Sequence, residues 1–316
     1  MIPAPDAVVV REVGLRDGLQ ILARTVPTSH KRAWLRGAHA AGLRHFEVAS
    51  FVPPRLMPQM ADAAEVVAAA LALPGAVVSV LVPNLRGAER ALASGAHAML
   101  MPVSASAAHS LANLKRTPDE AVAELAAIAA ARDRHAAETG HRVRLEVGIS
   151  TAFGCTIQGR VDEADVLRLV QAALHAGADE LGLADTVGYA DPEQVQRLFT
   201  RARAVAGERL AFGHFHDTRG LGVANVWAAW KAGVRCFDAS LAGLGGCPHA
   251  PGASGNVATE DVAYLFASMG VPTGLDLTEL LRLRGDLAHW LPGEPLHGAI
   301  ARAGLPKTLQ PAEVSA

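Results

Sequence analysis

Cysteine is scarce in these 316 residues: only Cys155, Cys236 and Cys247 occur, and their spacing matches neither a zinc cluster nor a disulfide framework. A reduced cytoplasm is the expected setting. No basic run exceeds a pair, and 29 basic residues face 31 acidic ones for a net charge of −2, so nucleic-acid binding has no compositional support. Long apolar runs are missing too. The alanine-rich stretch from Ala61 to Leu73 is broken by Asp62 and Glu65, well short of the ~18 uninterrupted apolar residues of a membrane span. Met1-Ile-Pro-Ala-Pro-Asp6 has neither the positive start nor the apolar stretch of a signal peptide. The expectation is a soluble, cytoplasmic protein with no nucleic-acid and no membrane partner.

What is present is a repeating pattern. Half of the residues are hydrophobic, enough for a sizeable core. Short apolar runs recur at Val8 to Val13, His45 to Ala49, Val77 to Val82, Ala98 to Val103, Val143 to Ser150, Glu180 to Ala184, Leu210 to His216 and Cys236 to Leu241. Stretches with helical spacing lie between them, near 28–41, 58–72, 84–94, 118–138, 162–176, 192–206, 220–232 and 258–269. Thr117-Pro-Asp-Glu and Asp191-Pro-Glu read as capped helix starts. Ala-Gly pairs at Gly42, Gly177 and Gly233, and a Ser-Gly pair at Gly95, fall where helices should end. Eight strand–helix alternations indicate a parallel α/β sheet, most simply a closed TIM (β/α)8 barrel over residues 6–270; a doubly wound open sheet is the alternative. The tail from 271 to 316 reads as a C-terminal helical extension.

In such a barrel the active site forms at the carboxyl ends of the strands. That filter gathers Arg16-Asp17 after strand one, Glu47 at the end of strand two, Asp185 at the end of strand six and His214 and His216 at the end of strand seven. The glycine-rich loop from Gly243 to Asn256, which carries Cys247, follows strand eight. His214-Phe215-His216 is the most informative of these. Residues i and i+2 of a strand share a face, so both imidazoles converge on one point. Two histidines satisfied by carbonyls would be the bland interpretation; with Asp17 opposite, a divalent ion is favoured. A nitrogen and oxygen set without thiolate suits Mg2+ or Mn2+, with zinc or cobalt allowed by ligand type. Arg16 either pairs with Glu12 or Glu47 or stabilises a developing oxyanion. Asp185-Thr186 alone reads as a helix cap. Cys247 is either a proton carrier in a cationic setting or an incidental thiol in a glycine-rich lid.

Several longer motifs carry a family resemblance. Glu12-Val-Gly-Leu-Arg-Asp-Gly-Leu-Gln20, Glu47-Val-Ala-Ser-Phe-Val52, Pro58-Gln-Met-Ala-Asp62, Ser150-Thr-Ala-Phe-Gly-Cys155, His214-Phe-His-Asp-Thr218, Gly243-Leu-Gly-Gly-Cys-Pro248 and Gly255-Asn-Val-Ala-Thr-Glu-Asp261 resemble hydroxymethylglutaryl-CoA lyase, in order from about residue 8 to 270. The resemblance implies a divalent cation held by Asp17, His214, His216 and Asn256, with Arg16 catalytic and Glu12 supporting it. Cys247 would transfer protons, and Glu47 and Asp185 would complete the acid–base set. Arg16, Asn84 and Ser106 would contact the substrate. The implied reaction is a retro-Claisen cleavage of a CoA thioester to acetyl-CoA and a keto acid, in a homodimer serving leucine degradation. Departures bear on the acyl group. Ala107 follows Ser106 where the family carries glutamate, Leu15 replaces a proline, Ala184 a glycine and Arg219 a tyrosine. Citramalyl-CoA, a longer 3-hydroxyglutaryl-CoA, a synthase running the condensation, or a barrel without catalysis are the rival readings.

Overall fold

The computed structural model describes residues 7–246 and 255–309. Eight strands, β1 (Val9–Glu12), β2 (His45–Ser50), β3 (Val77–Leu81), β4 (Ala98–Ser104), β5 (Arg144–Ser150), β6 (Glu180–Asp185), β7 (Leu210–Phe215) and β8 (Cys236–Ala239), run parallel. They close in sequence order, β1 pairing with both β2 and β8. The expected TIM barrel is therefore the observed fold.

Between the strands come α1 (Thr28–Ala40), α2 (Ala63–Leu71), α3 (Leu85–Ala93), α4 (Ala107–Leu114), α5 (Pro118–Thr139), α6 (Glu163–His175), α7 (Pro192–Ala206), α8 (Gly222–Lys231) and α9 (Thr259–Ser268). The outward strand faces, with Phe46, Val78, Met99, Val147, Leu183 and Phe237, are buried beneath them. Local chemistry sets the helix ends. Thr117 accepts from the Glu120 amide while the Glu120 carboxylate accepts from the Thr117 amide, a reciprocal capping box, and Asp191 caps α7 through the Gln194 amide. Gly42, Gly95, Gly177 and Gly233 all have positive φ at helix ends, as their places in the sequence predict.

Three differences from the sequence reading have local causes. The expected helix near 58–72 is a 3-10 turn at Pro58–Met60 followed by α2. The short helix α4 was not expected; Ser106 caps it by accepting from the His109 amide. The third concerns the tail. Helices α10 (Leu277–Trp290) and α11 (Ile300–Ala303) follow α9, and α10 packs between α9 and α1 with Leu280, Leu283 and Leu287 buried. It belongs to the outer ring rather than hanging from it. Arg284 donates to Glu260 and to the carbonyl of His297 (both 2.8 Å), and the His297 amide donates to the carbonyl of Ala242 (2.8 Å), so the tail grips the turn after β8. No helix among the described residues is long and apolar enough to cross a membrane.

The barrel interior is charged where such barrels usually stack branched apolar side chains. Arg11 on β1 donates to Glu146 on β5, the opposite strand, so the pair spans the interior; Arg11 Nε also donates to Asp238 Oδ1 on β8 at 2.7 Å. Arg144 braces Glu146 from the amino-terminal end, with Nη2 2.9 Å from its Oε1.

Candidate metal centre and its surroundings

Strand β1 ends in a π-helical turn, Gly14–Gly18, that turns Arg16 and Asp17 over the carboxyl end of the barrel. Arg16 is buried and bound on two sides. Its Nε and Nη2 donate to the two oxygens of Glu47 (2.8 and 2.9 Å), and Nη1 donates to Asp17 Oδ1 (2.6 Å). Burial opposes the guanidinium charge, yet Glu47 and Asp17 raise its pKa above the ordinary arginine value. Burial likewise works against the Asp17 carboxylate, but Arg16 and the two histidines hold its pKa well below the usual range. Asp17 is an anion at any physiological pH.

Both histidines converge on that anion, as the spacing predicts. Nε2 of His214 lies 3.9 Å and Nε2 of His216 3.8 Å from Asp17 Oδ2, and the rings sit 5.1 Å apart. One ligand atom from each of the three residues lies within 4.8 Å of the others. Strand β7 was expected to include His216, but the ladder stops at Phe215. His216 instead pairs antiparallel with Asn256, because the Asp217 amide donates to the carbonyl of Gly255 (2.9 Å) and the Val257 amide to that of Phe215 (3.0 Å). This return of the chain carries Asn256 to Asp17, where Nδ2 donates to Oδ2 at 2.7 Å and to the Leu244 carbonyl at 3.0 Å. Gly255 is required for that approach: it has φ +105°, and a Cβ would lie 1.6 Å from the Gly245 carbonyl oxygen.

The residue chemistry fits a divalent cation. Two imidazoles and an ionised carboxylate converge, and Asn256 Oδ1 and His216 Nδ1 are buried without a hydrogen-bond partner among the described residues. An uncommitted amide oxygen beside a carboxylate and imidazoles is the donor set of a mixed nitrogen and oxygen metal site.

The other expected site residues divide. Glu47 is buried against Arg16, and burial raises its pKa even so. Asp185 is also buried and raised, with its oxygens accepting from the amides of Tyr189 (2.8 Å) and Ala190 (3.1 Å), so it shapes the loop after β6. Glu12, expected to support Arg16, makes its bonds elsewhere. It accepts from the amides of Gly14 (2.9 Å) and Leu241 (3.0 Å) and from Thr259 Oγ1 (2.6 Å), tying the two loops that carry the site. Asn84 and Ser106 are helix caps: Asn84 accepts from the Gly87 amide (3.0 Å), and the Ser106 hydroxyl donates to Gln158 (2.9 Å) while accepting from the His109 amide (3.1 Å). Cys247 lies outside the described residues.

Two contributors were missed. Gln20 donates to Asp17 Oδ1 at 2.5 Å, one turn beyond it, a spacing visible in Arg-Asp-Gly-Leu-Gln. Asp238 accepts from His214 Nδ1 at 3.2 Å; it lies in mid-strand, where a filter for strand ends does not look.

A family model described as HMGL-like matches residues 7–286. The chain is 37% identical over 298 residues to the hydroxymethylglutaryl-CoA lyase of Bacillus subtilis, covering 93% of this chain and 96% of that one. It is equally 37% identical, over 310 residues and 95% of each chain, to the (R)-citramalyl-CoA lyase of Chloroflexus aurantiacus. Among solved structures, a lyase for hydroxymethylglutaryl-CoA from Acinetobacter baumannii, in complex with coenzyme A and 3-methylmalate, superposes with a TM-score of 0.89. Its sequence is 37% identical, and the match covers 98% of this chain and 99% of that one.

Proposed function

We propose, from the premise that this chain belongs to the HMGL-like family and is an enzyme, a lyase, that it cleaves 3-hydroxy-3-methylglutaryl-CoA to acetyl-CoA and acetoacetate with a divalent cation, Mg2+ or Mn2+. The observation that carries the reading is the convergence of Asp17, His214 and His216 beside Arg16 at the carboxyl end of the barrel. Asn256 is the further oxygen donor. A cation in this group would supply Lewis-acid polarisation and orientation of the substrate hydroxyl and carbonyl oxygens.

The protein's own part follows from the geometry. Cleavage removes the proton of the 3-hydroxyl, turns carbon 3 into a ketone and leaves the electron pair of the broken bond on carbon 2 as a thioester enolate. Arg16 is held rigidly enough by Glu47 and Asp17 to donate to that enolate oxygen with little reorganisation. Glu47 and Asp185 form the acid–base set, their pKa values raised by burial in the direction a proton acceptor needs near neutrality. Cys247 is assigned the return of a proton to carbon 2. We assign Glu12 to holding the loops, and Asn84 and Ser106 to the rim that the acyl chain approaches. A cytoplasmic homodimer completes the reading, on family membership alone.

Citramalyl-CoA is the second substrate reading, favoured by the equal identity to the Chloroflexus enzyme. Incubating the enzyme with a panel of 3-hydroxyacyl-CoA thioesters and Mg2+ or Mn2+, with products identified by mass, decides between them. Acetyl-CoA and acetoacetate are expected, with turnover lost in His216→Ala and Asp17→Asn. Full activity of either variant without metal would overturn the site.

A further inference from the structure

His214 is addressed from both ends of its ring. Nε2 faces Asp17, while Nδ1 lies 3.2 Å from Asp238 Oδ2. A carboxylate accepts and does not donate, so Nδ1 carries the proton of that bond, and in the neutral ring the lone pair is left on Nε2. Asp238 itself is fixed. Its other oxygen accepts from Arg11 Nε at 2.7 Å, and the Arg11 guanidinium is bonded across the barrel to Glu146 and lies 4.5 Å from the centroid of the Phe212 ring. Phe212 in turn fills space that only glycine leaves, for a Cβ on Gly182 would lie 2.1 Å from its ring. Asp238, Arg11 and Glu146 are charged side chains buried from solvent, and each is bonded to the next.

We propose that Asp238, locked by Arg11, is a positioning residue that holds His214 with its Nε2 lone pair toward Asp17 and so sets the affinity of the Asp17, His214 and His216 group for a divalent cation. This rests on the reading of that group as the metal site. The two oxygens of Asp238 have separate partners, and that makes one substitution diagnostic. In Asp238→Asn the Arg11 Nε–H requires the amide oxygen. The amide nitrogen then faces His214 and, being a donor, requires Nδ1 to accept. The ring must carry its proton on Nε2 and has no lone pair to offer a cation. Carboxylates in this relation to a ligating histidine typically contribute 10- to 100-fold in metal affinity.

The test titrates metal-free wild type, Asp238→Asn and Asp17→Asn with Mn2+, following the free ion by electron paramagnetic resonance. It also records imidazole 15N spectra of the metal-free proteins at mildly alkaline pH. Expected are Mn2+ binding weakened about 10- to 100-fold in Asp238→Asn and a His214 proton that moves from Nδ1 to Nε2 with the fold intact. Unchanged Mn2+ affinity in Asp238→Asn, with binding lost in Asp17→Asn, overturns the positioning role and leaves the metal site standing. Wild-type affinity in Asp17→Asn overturns the metal site and the proposal with it. If Asp238→Asn does not fold, the wild-type ring decides: a proton on Nδ1 supports the proposal and one on Nε2 overturns it.

Discussion

A guanidinium offers five N–H donors, and Arg16 commits one on Nε and one on each terminal nitrogen to Glu47 and Asp17. Among the described residues one N–H on each terminal nitrogen has no acceptor and is open to the substrate contact proposed above. Because both carboxylates are buried with it, the donors are aimed before substrate arrives, which is the condition under which such contacts act on the transition state rather than on binding. In Arg16→Gln we expect kcat to fall about 10²- to 10³-fold, as removal of one oxyanion donor does elsewhere, with KM little changed. Steady-state kinetics check this, and a near-normal kcat would remove Arg16 from the chemistry. At this scale the sequence was informative where local geometry is sufficient. The i, i+2 histidines converge as a strand requires, and Asp17 joins them because one turn separates it from β1. It was uninformative about partners set by the barrel as a whole. Glu12 is taken up by the Gly14 amide and by the Leu241 amide and Thr259 hydroxyl, two donors that meet it only in the closed barrel, and Arg16 pairs with Glu47 on β2.

Between elements, Glu12 is the principal tie, binding the turn after β1 to the turn after β8 and to α9. Burial pushes its pKa from 4.5 up to about 7, although Thr259 and the amides of Leu241 and Gly14 work the other way. A raised folded-state pKa means the native protein holds the proton more tightly than the unfolded chain. The resulting stability is present in full below about pH 4.5 and is lost as pH climbs to about 7. That difference corresponds to about 3 kcal/mol. Urea unfolding across this window should show wild type losing that much more stability than Glu12→Gln, which cannot ionise; equal slopes would exclude Glu12 as the group responsible. The barrel count, the strand starts and most helix spans were legible because periodicity and glycine punctuation are local signals. Asn84 and Ser106 show the limit: they follow strands β3 and β4 as site residues would, but cap helices, since a polar side chain before a helix finds amide donors at once. Asp238 was hidden for the opposite reason, as its partners lie on β1 and β7 rather than nearby in sequence.

For the whole molecule, the outer ring is complete only with α10. Leu283 packs against α1 at Gly37, where a Cβ would lie 2.5 Å from Leu283 Cδ1, and its neighbour Arg284 reaches Glu260 under the turn that carries Ala242. Leu283→Ala should cost about 2–5 kcal/mol in urea unfolding, as buried leucine truncations do; a change near zero would mean that α10 does not close the ring in solution. The charged interior has its own consequence for how the barrel is built. Arg11 sits in the first four strands, and both of its carboxylate partners, Glu146 and Asp238, sit in the last four. A chain parted between β4 and β5 separates the Arg11 guanidinium from both carboxylates, leaving Glu146 with Arg144 and Asp238 with His214. The bonds of Arg11 that cross the axis therefore form only when the two halves close on each other, and assembly of the eight strands is checked by electrostatics as well as by shape.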